Sequence, residues 1–149
     1  MAKEIERKFF VKSSEYRDIA TAKCRIKQGY LSTHKESTVR VRIKDKSAFI
    51  TIKGISNGAT RDEWEYSIPV SDAIEMLSLC QGNVIEKERY IVELMGYTWE
   101  VDEFHGAHEG LVVAEIELKD ENETFPIPPF IGEEVTGNVA YYNSTLAGV

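Results

Sequence analysis

Glu4-Ile5-Glu6-Arg7-Lys8 places two carboxylates and an ammonium at alternate positions. Successive side chains of a β-strand point to opposite faces, so Glu4, Glu6 and Lys8 share one face while Ile5, Arg7 and Phe9 share the other. One face is therefore ionic by construction. A single stretch of this kind describes any solvated sheet face. It acquires meaning here because the pattern returns along the chain.

Residues 38–44 set Val39, Val41 and Ile43 against Arg40 and Arg42, and residues 48–53 carry Lys53 opposite Ile50 and Ile52. Residues 62–70 repeat the acidic device, with Glu63 and Glu65 opposite Trp64 and Tyr66. Lys87 and Arg89 share a face in residues 84–94. Glu100 and Asp102 do so in 97–104, and Glu115 and Glu117 in 111–119. With the opening strand and residues 26–32, which include Tyr30, this predicts eight strands. Short helices are expected from Ser13-Ser14-Glu15 to about residue 23, from a Ser71-Asp72 cap to near Gly82, and over residues 138–146. Pro126, Pro128 and Pro129 exclude strand or helix interior between Phe125 and Phe130.

Eight strands in mostly hairpin order predict an α+β, mainly β fold: an antiparallel sheet closed into a barrel, since closure removes both edges. With the ionic face inward, helices cover the apolar outer face and the lumen is charged. Such a lumen must hold water, ions and a polar ligand, because each unpaired buried ion costs several kcal/mol. Carboxylates at i and i+2 repel one another unless a divalent cation lies between them, and all-oxygen donors suit Mg²⁺ or Mn²⁺. Paired cations suit an extended polyanion, Arg binding phosphate bidentately and Lys as a point charge. Together these imply a metal-bound linear phosphoanhydride inside a tunnel.

Composition narrows the classes. At 149 residues, 42% hydrophobic and 29% charged, the chain suits one domain, residues 1–149. A net charge of −7 argues against non-specific nucleic-acid binding. No run of about 18 apolar residues appears and the first twelve residues are charged, so a cytoplasmic protein without membrane attachment is expected. Cys24 and Cys80 indicate neither a disulfide framework nor a zinc site, and His34, His105 and His108 are spaced too irregularly for a metal triad. No obligate protein partner is legible.

Taken in order, the motifs resemble those of CYTH-domain proteins of the triphosphate tunnel metalloenzyme group. They are Glu4-Ile5-Glu6-Arg7-Lys8, Gln28-Gly29-Tyr30-Leu31, Val39-Arg40-Val41-Arg42, Thr51-Ile52-Lys53, Glu63-Trp64-Glu65, Glu86-Lys87-Glu88-Arg89-Tyr90, Glu100-Val101-Asp102 and Ala114-Glu115-Ile116-Glu117. The resemblance implies an eight-stranded tunnel that binds a triphosphate and uses divalent metal, Mg²⁺ or Mn²⁺ at two sites, to hydrolyse or transfer a phosphoryl or nucleotidyl group. It implies that Lys8, Arg40, Arg42, Lys53 and Arg89 cradle the phosphates. It further implies that Glu4, Glu6, Glu63, Glu65, Asp102, Glu115 and Glu117 hold metal or its waters, and that Lys87 and Tyr30 lie near the attacking water.

Length and opening motif are most similar to the short bacterial inorganic triphosphatases of the group. Hydrolysis of tripolyphosphate to pyrophosphate and phosphate is therefore the expected activity. The alternatives are a class IV-type adenylate cyclase or a thiamine or nucleoside triphosphatase on the same scaffold, and a non-catalytic triphosphate- or polyphosphate-binding module. The tail departs from the pattern: Asn138-Val139-Ala140-Tyr141-Tyr142-Asn143 lacks the basic residue expected before the tyrosine.

Overall fold

The strand that carries the opening motif, β1 (Ala2–Val11), is the seam on which the sheet closes. The computed structural model describes residues 2–148; Met1 and Val149, the ends of the expected domain, lie outside the described residues. The other barrel strands are β2 (Ala22–Ser32), β3 (Thr38–Lys44), β4 (Ser47–Lys53), β5 (Thr60–Ile68), β6 (Gln81–Leu94), β7 (Tyr97–His105) and β8 (Val112–Glu117). They run β1-β5-β4-β3-β2-β6-β7-β8 and back to β1, every neighbour antiparallel. The expected eight-stranded closed barrel forms, with one further strand.

That strand, β9 (Ile131–Glu134), was not expected from sequence. β1 pairs with β8 along one edge through Glu6–Phe10, while its other edge is divided. The first half, to Ile5, pairs with β5, and β9 takes up the second half through Phe9 and Val11. β9 is four residues long and follows a proline-rich segment, so it carries too little alternation to be recognised in isolation.

Alternation gives several strands two buried faces of opposite character. Outward-facing Val41, Val92, Trp99, Val101, Ala114 and Ile116 are almost fully buried, and so are inward-facing Gln28, Arg40, Thr51, Lys87, Arg89 and Asp102. α1 (Tyr16–Ile19) brings Tyr16 onto Trp99, Val101 and Ile116 together with Phe130, and Phe125 stacks edge-on against Trp99 with ring centroids 5.8 Å apart. Trp99 thus packs chiefly beneath the proline-rich segment. α2 (Val70–Leu77) lays Ala73 and Leu77 on Val41 and Ala48. Burying each large side chain contributes about 1.5–3 kcal/mol, and these covers are what make an ionic lumen tolerable.

At one end the lumen turns apolar. Tyr30, Ile85, Phe104 and Val113 lie one alternate position beyond Gln28, Lys87, Asp102 and Glu115, and Leu146 and Ala147 at the end of α3 (Asn143–Leu146) pack onto them. No helix among the described residues is long and apolar enough to cross a membrane.

The helices are shorter than the sequence predicts. α1 ends at Ile19 because Ala22 pairs with Ile91, and β2 takes residues whose helical character is weak. α2 starts at Val70, so Asp72 lies in its first turn, and it ends at Leu77 because β6 begins at Gln81. Within β2, Gly29 marks where α2 closes down: a Cβ there would lie 2.7 Å from Cys80 Sγ. Gly29→Ala is expected to destabilise by about 1–3 kcal/mol through overpacking. Calorimetry would register this as a lower thermal midpoint; an unchanged midpoint would mean that the Cys80 turn yields freely.

Candidate active site

Six cations enter the lumen from four strands: Lys8 of β1, Arg40 and Arg42 of β3, Lys53 of β4, and Lys87 and Arg89 of β6. Antiparallel register sets β6 against β7, pairing Arg89 with Asp102. Asp102 accepts from Arg89 Nε at 2.8 Å, from Arg89 Nη2 at 2.9 Å and from Lys87 Nζ at 2.7 Å. Three of the roughly four lone-pair sites of a carboxylate are thereby taken, which makes Asp102 an anchor for the two cations. Burial and the repulsion of Arg89 and Arg42 pull the Lys87 ammonium down to about 7 against the attraction of Asp102. Lys87 Nζ also lies 5.3 Å from the centroid of the Phe104 ring.

The remaining cations are held more loosely. Arg40 Nη2 donates to Thr51 Oγ1 at 3.1 Å and lies 3.6 Å from Glu65, to which Thr51 donates in turn. Lys53 Nζ is 3.0 Å from both oxygens of Glu4 and 3.6 Å from Glu63. Lys8 Nζ is 3.6 Å from Glu115 and donates to the Tyr141 carbonyl at 3.0 Å. The tail therefore meets the lumen through a backbone oxygen, where a basic side chain was expected. Arg42 Nε donates to the Gln28 carboxamide at 2.7 Å.

The carboxylates gather on β1, β5 and β8. Glu6 faces Glu117 across the β1–β8 pair, and Glu100 faces Glu115 across β7–β8. Burial and the charges of Glu115 and Glu4 push the Glu6 carboxyl well above its ordinary value; burial and the Glu4 hydrogen bond carry Glu63 up to about 7. Glu117 is raised by burial and by Glu4 and Glu100. Burial would raise Glu4 and Glu115 too, but it is outweighed at Glu4 by Lys53 together with a hydrogen bond from Glu63, and at Glu115 by Lys8, Arg89 and Lys87 together with a hydrogen bond from Glu6. At Glu4–Glu63 and at Glu6–Glu115 one carboxyl is thus pushed up while its neighbour is held down, as expected where carboxylates crowd together.

A divalent cation would displace the protons of the raised carboxyls. Among the described residues no group of three or more His, Cys, Asp or Glu is arranged as a metal cage. Mg²⁺ ordinarily takes one or two carboxylates and completes its octahedron with water and substrate phosphate, so the paired carboxylates fit it.

The lumen opens through a cleft lined by Glu4, Glu6, Lys8, Arg40, Lys53 and Arg61, together with buried Tyr30 and residues 135–137 and 142–143. Tyr30 therefore stands where the ionic lumen meets the apolar end, beside Lys8. Glu65 and Glu117 are the most exposed of the expected residues. Arg61, Thr38 and Gln28 were missed. Each lies two positions from a recognised lumen residue (Glu63, Arg40 and Tyr30), so the strand period that identified the others also pointed to these.

The sequence matches the CYTH domain over residues 2–143. An inorganic triphosphatase of Acetivibrio thermocellus is 50% identical over 147 residues, covering 98% of this chain and 94% of that protein. One of Nitrosomonas europaea is 35% identical over 148 residues, covering 97% and 96%. The crystal structure of an inorganic triphosphatase, 33% identical, superposes with a TM-score of 0.72 over 99% of this chain and 95% of that one. With a charged tunnel on a closed antiparallel barrel and a family match over nearly its whole length, this chain belongs to the CYTH-domain family.

Proposed function

We propose that this chain is a divalent-metal-dependent hydrolase of inorganic triphosphate, converting tripolyphosphate and water to pyrophosphate and phosphate. The carrying observation is the convergence of six cations in one lumen that also holds two buried donors without partners among the described residues, Gln28 Nε2 and Arg40 Nε. Buried donors without an acceptor, set among converging cations, call for an anion rich in oxygen. The two inorganic triphosphatase relatives support the same substrate.

In the substrate-free lumen most cations are held by carboxylates. A triphosphate entering the cleft takes Lys8, Arg40 and Lys53 from those partners and meets Arg42 and Arg89 where Gln28 and Asp102 hold them, and its equatorial oxygens are where transition-state charge spreads. The released carboxylates, Glu4, Glu6, Glu63, Glu65, Glu115 and Glu117, would hold Mg²⁺ or Mn²⁺ at two sites. The metal's chemistry there is charge neutralisation on phosphate and acidification of water. Asp102, expected among the metal ligands, is read instead as the anchor of Lys87 and Arg89. Lys87, divided between amine and ammonium near neutrality, accepts the proton of the attacking water, and Tyr30 is assigned to the surroundings of that water. As the water oxygen bonds to the terminal phosphorus, the bridging P–O bond breaks and pyrophosphate leaves.

The test is phosphate release by the purified protein from tripolyphosphate, ATP and thiamine triphosphate, with Mg²⁺, Mn²⁺ or excess chelator. Release should favour tripolyphosphate, stop with chelator and return with added metal. A preference for ATP or the thiamine ester would move the assignment to a sister activity, and tight binding without turnover would leave a binding module.

A further inference from the structure

Gln28 is fully buried at the centre of β2, directly opposite Arg42 of β3, and both face the lumen. Its Oε1 accepts from Arg42 Nε at 2.7 Å, while its Nε2 has no hydrogen-bond partner among the described residues. The other five expected cations each have a carboxylate partner: Lys8 has Glu115, Arg40 has Glu65, Lys53 has Glu4, and Lys87 and Arg89 share Asp102. Among the described residues Arg42 has no carboxylate partner and is held by a neutral amide. Burial and the neighbouring Arg40 and Arg89 depress its ionisation to about 9, so its charge is raw and repelled on two sides.

A carboxylate in place of Gln28 would hold Arg42 as firmly but would cancel the charge that a phosphate needs. A carboxamide takes only the Nε–H and leaves both Nη groups to the lumen. It also contributes a donor of its own, and a buried donor without an acceptor is costly until one arrives. We propose that Gln28 is a further substrate-binding residue, which orients Arg42 with its charge uncompensated and donates Nε2–H to the same phosphoryl group. This rests on the triphosphate reading of the tunnel.

Gln28→Met, close in volume and without hydrogen-bonding groups, should raise KM for tripolyphosphate about 10- to 100-fold, as expected for hydrogen bonds to charged groups. Gln28→Glu should raise KM at least as much while keeping or raising the thermal midpoint, because it adds an ion pair to Arg42. A residue that merely filled space would instead leave KM near wild type in Gln28→Met, or lose stability and affinity together in both variants. In an Arg42→Lys background, Gln28→Met should cost less than it does in the wild-type protein, the remainder being the lost Nε2–H donation, and fully additive losses would overturn the tether. The Arg42 Nε–H resonance, followed by NMR without substrate, should exchange slowly in the wild-type protein and rapidly in Gln28→Met. Equal exchange would also overturn it. This last measurement needs no turnover, so failure of the triphosphate reading and failure of the Gln28 tether are separately visible.

Discussion

Lys87→Met is expected to lower kcat for tripolyphosphate about 10²- to 10⁴-fold, the usual contribution of a positioned proton acceptor, while the barrel stays folded. Lys87 is 2% exposed, and methionine fits its stem between Ile26 and the Phe104 ring. Asp102 retains its bidentate pairing with Arg89, so the substitution leaves no charge stranded. The wild-type kcat/KM should rise with pH through about 7 as Lys87 loses its proton, and the variant should lack that limb.

Stability carries the same signature with a definite sign. In the folded chain Lys87 releases its proton near 7, whereas an unfolded lysine does so near 10.4. Between those values the unfolded chain binds more protons, so stability grows with pH across that window, and below it the cost of burying the charge is fully present. Denaturant midpoints of wild type and Lys87→Met at pH 6, 8 and 9 would reveal this slope in the former alone. A variant with near wild-type turnover and an unchanged pH profile would remove Lys87 from the chemistry.

Asp102→Ala should be the most destabilising single change in the lumen. It leaves two buried cations, Lys87 and Arg89, without their shared anion, and breaking a buried pair in this way costs about 3–5 kcal/mol. At roughly 2–4 °C per kcal/mol for a chain of this size, the thermal midpoint should fall by about 6–20 °C. Tripolyphosphate should recover part of the loss, because an anion bound in the lumen supplies what the stranded cations lack. Turnover should fall as well, since Arg89 and Lys87 lose the group that orients them. A thermal scan with and without ligand checks all of this, and a midpoint within about 2 °C of wild type would contradict the anchor role.

Much of this site was legible because strand geometry is periodic. Once residues 4–8 are a strand, the period of two places Glu4, Glu6 and Lys8 together, and the same rule recovers Arg40 with Arg42 and Glu115 with Glu117. Where local signals were weak, neighbours prevailed: the segment before β2 gave up helix to pair with β6, and β9 exists only because β5 leaves the second half of β1 unpaired.

The amino-acid order alone determined that most strands have an ionic and an apolar face; that the ionic face of those strands lines the lumen, while β2 turns Lys23, Arg25 and Lys27 outward, was decided by closure and packing. Only the tertiary structure decided which charges meet. Cross-strand register puts Asp102 between Lys87 and Arg89, sets Gln28 against Arg42, and places Glu115 opposite Lys8 and Glu117 opposite Glu6. These residues are distant in sequence, and electrostatic energy depends on separation in space and on burial. Neither is encoded in a local period.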